Sequence, residues 1–314
     1  MASEISAIIP TTLRPSVREA IRSVKEQNGV SVEVVVVVDR DSPAVTGEEM
    51  RLVEGADRVL FTGGRMGGGY ARNLGVRKCT GSVVGFLDDD DEWLPNKSAL
   101  QLPRLRTASG LNNELVVGSR VIERSPTTLQ TSAPVPDRLI GADEKIEDYL
   151  FLRRVPKLGR ASFFTSTLLM SNQLAVKIPW DESLRRHQDW DLLSRLGDAG
   201  INFVQVPEVT TVYALGSGGS ISARPDWRSS LAWAHRRGDR WDRQTFVDFV
   251  AGQPLRYALQ ARSPSGVKLC LSAIRKASRF PSAGPAGLAL SGIVPRRTQE
   301  RVAMIMSHKN RRPT

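Results

Sequence analysis

The segment Val32–Val38 is an almost unbroken run of valines, interrupted only by Glu33. β-Branched residues favour strands, and a strand that is apolar on both faces is typical of a parallel sheet covered by helices on both sides. Three more short apolar runs alternate with segments of helical periodicity; the runs are 5–9, 58–61 and 83–87, and the helical segments are 15–27 and 70–79. This order predicts an α/β fold with a mostly parallel sheet, in which ligands bind at the carboxyl ends of the strands.

The rest of the chain up to residue 223 continues the same pattern less regularly. We expect the first strand to end at Pro10, because proline cannot continue a sheet ladder. Residues 124–142 are rich in proline, serine and threonine and indicate a loop or lid. Apolar patterning predicts further strands at 115–122, 167–170, 203–206 and 209–213, and a helix at 189–199.

A polar cluster follows each of the four apolar runs. The clusters are Thr11-Thr12, Asp39–Asp41, a glycine-rich loop (63–69) with Arg65 and Arg72, and Asp88–Asp91. Taken singly, Asp39 fits an ordinary turn residue and the glycine run fits a flexible loop. In an α/β fold all four would meet at one edge of the sheet. The combination predicts a nucleotide site.

The four consecutive aspartates at 88–91 indicate a bound cation. Adjacent like charges repel each other unless a positive group neutralises them. Mg²⁺ and Mn²⁺ prefer oxygen ligands, and Mg²⁺ is commonly held by one or two carboxylates together with substrate phosphates. The sequence therefore predicts a divalent metal that holds a phosphorylated ligand. A solvated acidic loop is the alternative.

The charge of the chain is divided unevenly along its length. Residues 1–223 contain 26 lysines and arginines against 28 acidic residues, whereas residues 224–314 contain 18 against five. The step predicts a domain boundary there, with a basic, mostly helical extension and an anionic partner. Within it, 267–280 has the pattern of a basic amphipathic helix, with Val267, Cys270, Leu271, Ile274 and Ala277 on its apolar side.

Two functions remain open for that helix. It could lie on an anionic membrane surface or pack against its own domain with a solvated basic face. A second short helix is predicted at 301–306, and residues 307–314 are expected to be disordered.

Composition excludes several classes of protein. Two cysteines and three histidines make neither a disulfide framework nor a zinc site. Residues 1–9 lack the pattern of a secretory signal, and no apolar run is long enough to span a membrane. The expected location is cytoplasmic, with the basic extension reaching the inner face of the membrane.

The motifs resemble those of the family 2 glycosyltransferases, which have the nucleotide-sugar-binding GT-A fold. The resemblance covers roughly residues 4–223 and is most specific in the aspartate block. The matching segments are Ile8–Thr11, Val36–Asp39, Gly69–Gly75, Gly85–Lys97, Trp180–Leu184, Gln188–Leu193 and a closing loop at Gly218–Ser222. The absence of a Gln-X-X-Arg-Trp motif argues against a processive synthase.

The resemblance implies a role for each matching residue. Pro10, Thr11, Asp39, Arg72 and Asp89 would contact the nucleotide. Asp88 and Asp90 fit the Asp-X-Asp motif as metal ligands for Mg²⁺ or Mn²⁺, with Asp90 the more direct ligand. Asp189 matches the aspartate that acts as catalytic base in inverting members, although Gln188 replaces the usual preceding glutamate. From spacing alone, Asp189 could equally be a helix N-cap.

The expected reaction is transfer of a sugar from a nucleotide diphosphate to a hydroxyl of a sugar, lipid-linked or other acceptor, in cell-surface glycan or polysaccharide assembly. A nucleotidyltransferase is less consistent, because a glycine-rich basic signature should follow the first strand. An Asp-X-Asp phosphatase would carry its motif on that strand. A non-enzymatic protein that binds nucleic acid through the arginine-rich extension is the remaining alternative, although charge alone supports only non-specific binding.

Overall fold

The computed structural model describes residues 3–110, 114–125, 131–152, 161–216 and 225–294. The strands are β1 (Ile5–Thr11), β2 (Val32–Val38), β3 (Arg58–Phe61), β4 (Val83–Phe86), β5 (Glu92–Trp93), β6 (Leu115–Arg124), β7 (Leu169–Ser171) and β8 (Asn202–Ala214). The helices up to the end of β8 are α1 (Val17–Lys25), α2 (Gly47–Met50), α3 (Gly68–Lys78), α4 (Lys97–Gly110), α5 (Ile146–Phe151), α6 (Asn172–Lys177) and α7 (Gln188–Asp198). Five more follow, namely α8 (Trp227–Arg237), α9 (Arg243–Val250), α10 (Arg256–Gln260), α11 (Pro264–Lys276) and α12 (Ala283–Ser291).

The eight strands form one mixed sheet in the order β3-β2-β1-β4-β7-β6-β8-β5. The pairs β3/β2, β2/β1, β1/β4 and β6/β8 are parallel, and the other three neighbouring pairs are antiparallel. This arrangement confirms the predicted α/β fold with a mostly parallel sheet flanked by helices. All seven residues of β2 are buried, as expected for a strand covered on both faces.

Two strand boundaries differ from those predicted. β1 continues through Pro10 to Thr11, since β4 pairs with it only as far as Ile8 and β2 provides the remaining partners. β8 is a single strand, where the sequence indicated two short ones. Its pairing with β6 shifts register across Pro207 and Glu208, where a proline is tolerated because a bulge leaves its position unpaired.

The chain divides into two compact units, residues 1–146 with 160–218 and residues 147–159 with 219–314. The division into a catalytic domain (1–223) and a basic extension (224–314) stays a prediction. The second unit is helical in its described part, as expected. The predicted helix at 301–306, the disordered end and the closing loop at 218–222 lie outside the described residues.

Aromatic packing explains why residues after 146 belong with the second unit. The Phe151 ring lies 4.9 Å from the ring of Phe249 and 5.3 Å from that of Trp241. Trp233 contacts the same rings, at 5.1 Å from Phe249 and 5.2 Å from Trp241. Aromatic pairs at such distances add to the stabilisation from burial itself. α5 had no clear signal in the sequence.

The apolar side of α11 faces the core of its own unit. Cys270 and Ile274 are buried, whereas Leu271, predicted on the same side, is 51% exposed. This burial accounts for much of the apolar periodicity that suggested an interfacial helix. Across the described ranges, no helix combines the length and apolar character needed to cross a membrane.

Candidate active site

The structure brings the four polar clusters of the sheet edge together through hydrogen bonds. The Thr11 hydroxyl, at the end of β1, donates to Asp89 after β4 at 2.6 Å. The Asp39 backbone N–H, after β2, donates to the Thr11 carbonyl at 2.8 Å. Arg72 of α3 donates to the Asp88 carboxylate at 2.5 Å. Because β1, β2 and β4 run in parallel, their carboxyl ends meet at one edge.

Asp39 organises the glycine-rich loop. Its carboxylate accepts hydrogen bonds from the Thr62 hydroxyl at 2.7 Å and from the backbone N–H groups of Met66 and Gly67 at 2.7 and 2.8 Å. Gly67 has a φ of +93°, which side-chain-bearing residues rarely adopt, so this turn of the loop requires glycine. The contact of Asp39 with the nucleotide stays a prediction. Pro10 lies beside this edge within β1.

Arg14 is a site residue that the sequence reading missed. Its guanidinium bonds both oxygens of Asp89 and reaches one oxygen of Asp90 at 3.0 Å. Burial alone would lower the pKa of Arg14, but the bonds to Asp89 and the charges of both aspartates outweigh it and raise that pKa. The available signal was its position three residues after Thr11, just beyond the first polar cluster. Arg14 therefore offsets part of the negative charge of the acidic run, at Asp89 and Asp90.

The last aspartate of the run is an anchor. Asp91 is 1% exposed; its carboxylate accepts a hydrogen bond from the Ser166 hydroxyl and another from the Ala214 backbone N–H at 2.9 Å. The Asp88 backbone N–H donates to the same Ser166 oxygen at 3.1 Å. Burial and the charge of Asp88 raise the pKa of Asp91 well above its ordinary value. Ser166 thus ties both ends of the aspartate run to one hydroxyl.

The aspartates that the sequence assigned to a metal are only partly engaged. The hydrogen bonds of Asp88 and Asp90 to arginines each use one carboxylate oxygen. Among the described residues, no three carboxylate, imidazole or thiol groups cluster as a metal site. Two carboxylates suit a Mg²⁺ that takes its other ligands from water and substrate phosphates. The donor set fits such an ion and does not fit a metal held by protein alone.

Asp189 lies in the first turn of α7 but is not its N-cap, which is His187 in a left-handed conformation with a φ of 60°. Burial raises the pKa of the Asp189 carboxyl, although the backbone N–H groups of Trp190 and Asp189 and the charge of Arg72 lower it. The charge of Asp88 also acts on it. The structure therefore places Asp189 within electrostatic reach of the predicted nucleotide and metal residues.

Two further contacts connect α7 to the rest of this edge. The Gln188 side-chain oxygen accepts from Arg72 at 3.3 Å, so the residue that replaces the expected glutamate still bonds an arginine. The Arg72 guanidinium lies over the Trp180 ring, 4.7 Å from its centroid. Asn73 exchanges hydrogen bonds of 2.9 Å with the backbone N–H and carbonyl of Trp180. Arg72 and Asn73 thereby link α3 to the two later motifs, Trp180–Leu184 and Gln188–Leu193.

Tyr213 of β8 is a second residue that the sequence reading missed. Burial raises the pKa of its phenol, and the charges of Asp91, Asp88, Asp189 and Asp90 raise it further. Its ring lies 5.1 Å from that of Phe164. In the sequence, the only indication that Tyr213 lies near the site was its position at the end of a predicted strand. The Tyr213 phenol therefore lies within electrostatic range of these four carboxylates.

Comparison with known proteins gives the same family as the motifs. The sequence model of the family described as "Glycosyl transferase family 2" matches residues 6–169. The chain is 27% identical over 271 residues to the amylovoran biosynthesis glycosyltransferase AmsB of Erwinia amylovora, which covers 82% of this chain and 86% of AmsB. It is 32% identical over 95 residues to the GalNAc(5)-diNAcBac-PP-undecaprenol beta-1,3-glucosyltransferase of Campylobacter jejuni, which covers 29% of this chain and 31% of that protein.

A solved structure supports the fold independently. Residues 1–349 of S. aureus TarS in complex with UDP-GlcNAc superimpose with a TM-score of 0.60 and 14% sequence identity, over 92% of this chain and 87% of that one. At this identity the similarity establishes the fold alone. The fold is that of the GT-A glycosyltransferases, as the motifs implied.

Proposed function

This chain belongs to glycosyl transferase family 2, and from that premise we propose that it transfers a sugar from a nucleotide diphosphate to an acceptor hydroxyl with inversion at the anomeric carbon. The observation that carries the proposal is the position of Asp189. A carboxyl with a raised pKa, in electrostatic contact with Asp88 and Arg72, is suited to take a proton from a hydroxyl beside the donor's phosphates. General bases work best when their pKa approaches the working pH.

The chain's own residues divide the remaining tasks. Thr11, Asp39 and Asp89, with Pro10, would hold the base and ribose, and Arg72 would face the phosphates. Asp88 and Asp90 would hold a Mg²⁺ or Mn²⁺ ion, which supplies positive charge to the diphosphate leaving group. Asp189 would orient the acceptor hydroxyl and accept its proton.

The relatives support the biological setting that we propose. AmsB is named for amylovoran biosynthesis, and the Campylobacter jejuni enzyme for an undecaprenol-PP-linked substrate. We infer that this enzyme also acts in cell-surface glycan or polysaccharide assembly, on a sugar or lipid-linked acceptor. Its expected location is cytoplasmic and peripheral, on the anionic inner face of the membrane, reached through the basic second unit.

A thermal-shift panel tests donor and metal together. Nucleoside diphosphates and nucleotide sugars are added with and without Mn²⁺. We expect the nucleotides of one particular base to stabilise the protein, and only when the metal is present. Asp90→Ala should abolish that metal-dependent shift with the fold intact. A shift that is the same with and without metal, in the wild type, would contradict the metal role.

Transfer assays test Asp189. Asp189→Asn should lower the rate by about 10²–10⁴-fold, the usual contribution of a general base, while donor binding persists. Asp198→Asn is the matched control, because Asp198 is an exposed aspartate at the other end of α7. Product NMR should show the anomeric configuration opposite to that of the donor. Retention of configuration would exclude the proposed mechanism.

A further inference from the structure

The second unit contains an open groove of about 740 Å³ between α10, the turn after it and the outward face of α11. We propose that this groove binds the phosphate and the adjoining acyl-chain region of an anionic phospholipid in a membrane surface. The inference rests on the membrane association proposed above and assigns it to a specific place. The residues that carry the argument are Leu259, Arg262, Val267, Lys268, Leu271 and Arg275.

The groove lies on the side of α11 opposite to its packed side. Gly266, Cys270 and Ile274 are buried, and a side chain at Gly266 would meet the Trp227 ring within 2.7 Å. The packed side is therefore not available to a membrane. Lys268, Leu271 and Arg275 lie one helical turn apart on the outward side, so any docking by this helix uses them.

Among the described residues, no carboxylate forms an ion pair with the cations that line the groove. Residues 249–294 contain six lysines and arginines and no aspartate or glutamate. In the described part of the chain, Arg262, Lys268 and Arg275 form no ion pair. Uncompensated cations around a concave surface concentrate anions there.

The lining selects a lipid among anionic ligands. Leu259, Val267 and Leu271 contribute apolar surface beside the three cations, and Leu271 is 51% exposed. A free phosphate would use the cations only. A single-stranded nucleic acid would be expected to stack bases on aromatic rings, and none of the lining residues is aromatic. A phospholipid uses both parts, with its phosphate against the cations and its first methylenes against the leucines and valine.

The test compares neighbouring residues of the same type on α11. Arg275 lines the groove and Lys276 does not, although both are exposed cations. Leu271 lines the groove and Leu269 does not, although each is 51% exposed. The full chain is sedimented with vesicles of phosphatidylglycerol in phosphatidylcholine. Arg275→Gln should weaken binding about fivefold, as expected for one cation at an anionic surface, and Leu271→Ser should weaken it as well. Lys276→Gln and Leu269→Ser should change it much less.

Four outcomes would overturn the proposal. These are absence of sedimentation with anionic vesicles at low salt, equal binding to pure phosphatidylcholine, equal effects of Arg275→Gln and Lys276→Gln, and loss of single-stranded RNA binding rather than vesicle binding in the groove variants. Nucleotide-dependent thermal shifts are recorded on the same samples. They should be unchanged in all four variants, so that failure of lipid binding stays separate from failure of the glycosyltransferase assignment.

Discussion

Ser166 donates its hydroxyl hydrogen to the buried Asp91 carboxylate, and the same oxygen accepts the Asp88 backbone N–H. One side chain therefore fixes both ends of the aspartate run. It lies outside the run by 75 residues in sequence, in the short 3₁₀ segment Thr165–Thr167. The aspartates thus depend on a residue that no motif includes.

Ser166→Ala should lower stability and weaken donor binding together. It removes one of the two hydrogen bonds of the buried Asp91 carboxylate and the acceptor of the Asp88 backbone N–H, and losing a hydrogen bond at a buried polar group costs about 1–3 kcal/mol. Ser171→Ala is the control, since Ser171 caps α6 through the Leu174 N–H and its loss costs about 1 kcal/mol. Urea unfolding and Mn²⁺-dependent nucleotide binding measure both effects. Unchanged nucleotide affinity in Ser166→Ala would show that the anchor is not needed for the site.

Arg14→Gln should strengthen Mn²⁺ binding in the absence of nucleotide. In the wild type the metal must compete with the guanidinium for Asp90, whose side chain is 17% exposed. A partly exposed ion pair contributes about 0.2–1 kcal/mol, so we expect up to about a fivefold lower Kd by titration calorimetry. Arg18→Gln, an exposed arginine four residues later, should not alter the Kd. Weaker metal binding in Arg14→Gln would mean that Arg14 holds the carboxylates in place.

Gly75→Ala should destabilise the protein. A methyl group there would lie 2.4 Å from the Ile8 side chain and 3.2 Å from that of Val37, so α3 could no longer pack closely on β1 and β2. Overpacking of this kind costs about 1–3 kcal/mol. Gly47→Ala is the control, because nothing lies within 4 Å of a side chain there. Equal urea midpoints for the two variants would contradict the packing explanation.

Lys97 should make stability depend on pH. Its amine is fully buried and bonds Gln101 and the Thr167 carbonyl, and burial lowers its pKa well below 10.5. At pH values between the lowered pKa of the folded state and the ordinary pKa of the unfolded chain, the unfolded chain binds a proton that the folded chain does not. The free energy of unfolding therefore rises with pH by up to about 1.4 kcal/mol per pH unit.

Lys97→Met should reduce that slope, measured by urea unfolding from about pH 7 to about pH 9. Lys25→Met provides the comparison at an exposed lysine that pairs with Asp57. A slope that is the same in the wild type and in Lys97→Met would show that Lys97 does not titrate in this range.

The sequence alone determined the fold class and predicted the location of the site. The valine run at β2 indicated a strand buried on both faces, and the polar residues after β1, β2 and β4 indicated one sheet edge. Both follow from local chemistry, because strand burial and strand ends are visible in consecutive residues. The same local reasoning selected Asp88–Asp91, whereas Asp189 was selected only by the resemblance to the family. In the structure the charge of Asp88 acts on the Asp189 carboxyl.

Only the tertiary structure decided which partners those residues have. Arg14 contacts Asp89 across 75 residues, and Ser166 contacts Asp91 across another 75. The charges of Asp88, Asp90 and Asp91 raise the pKa of the Tyr213 phenol. The sequence also left open whether the apolar side of α11 packs on protein or on a membrane, and it gave no sign that Phe151 belongs to the second unit. These relationships depend on long-range packing, which sets pKa values and pairings that no local pattern of residues encodes.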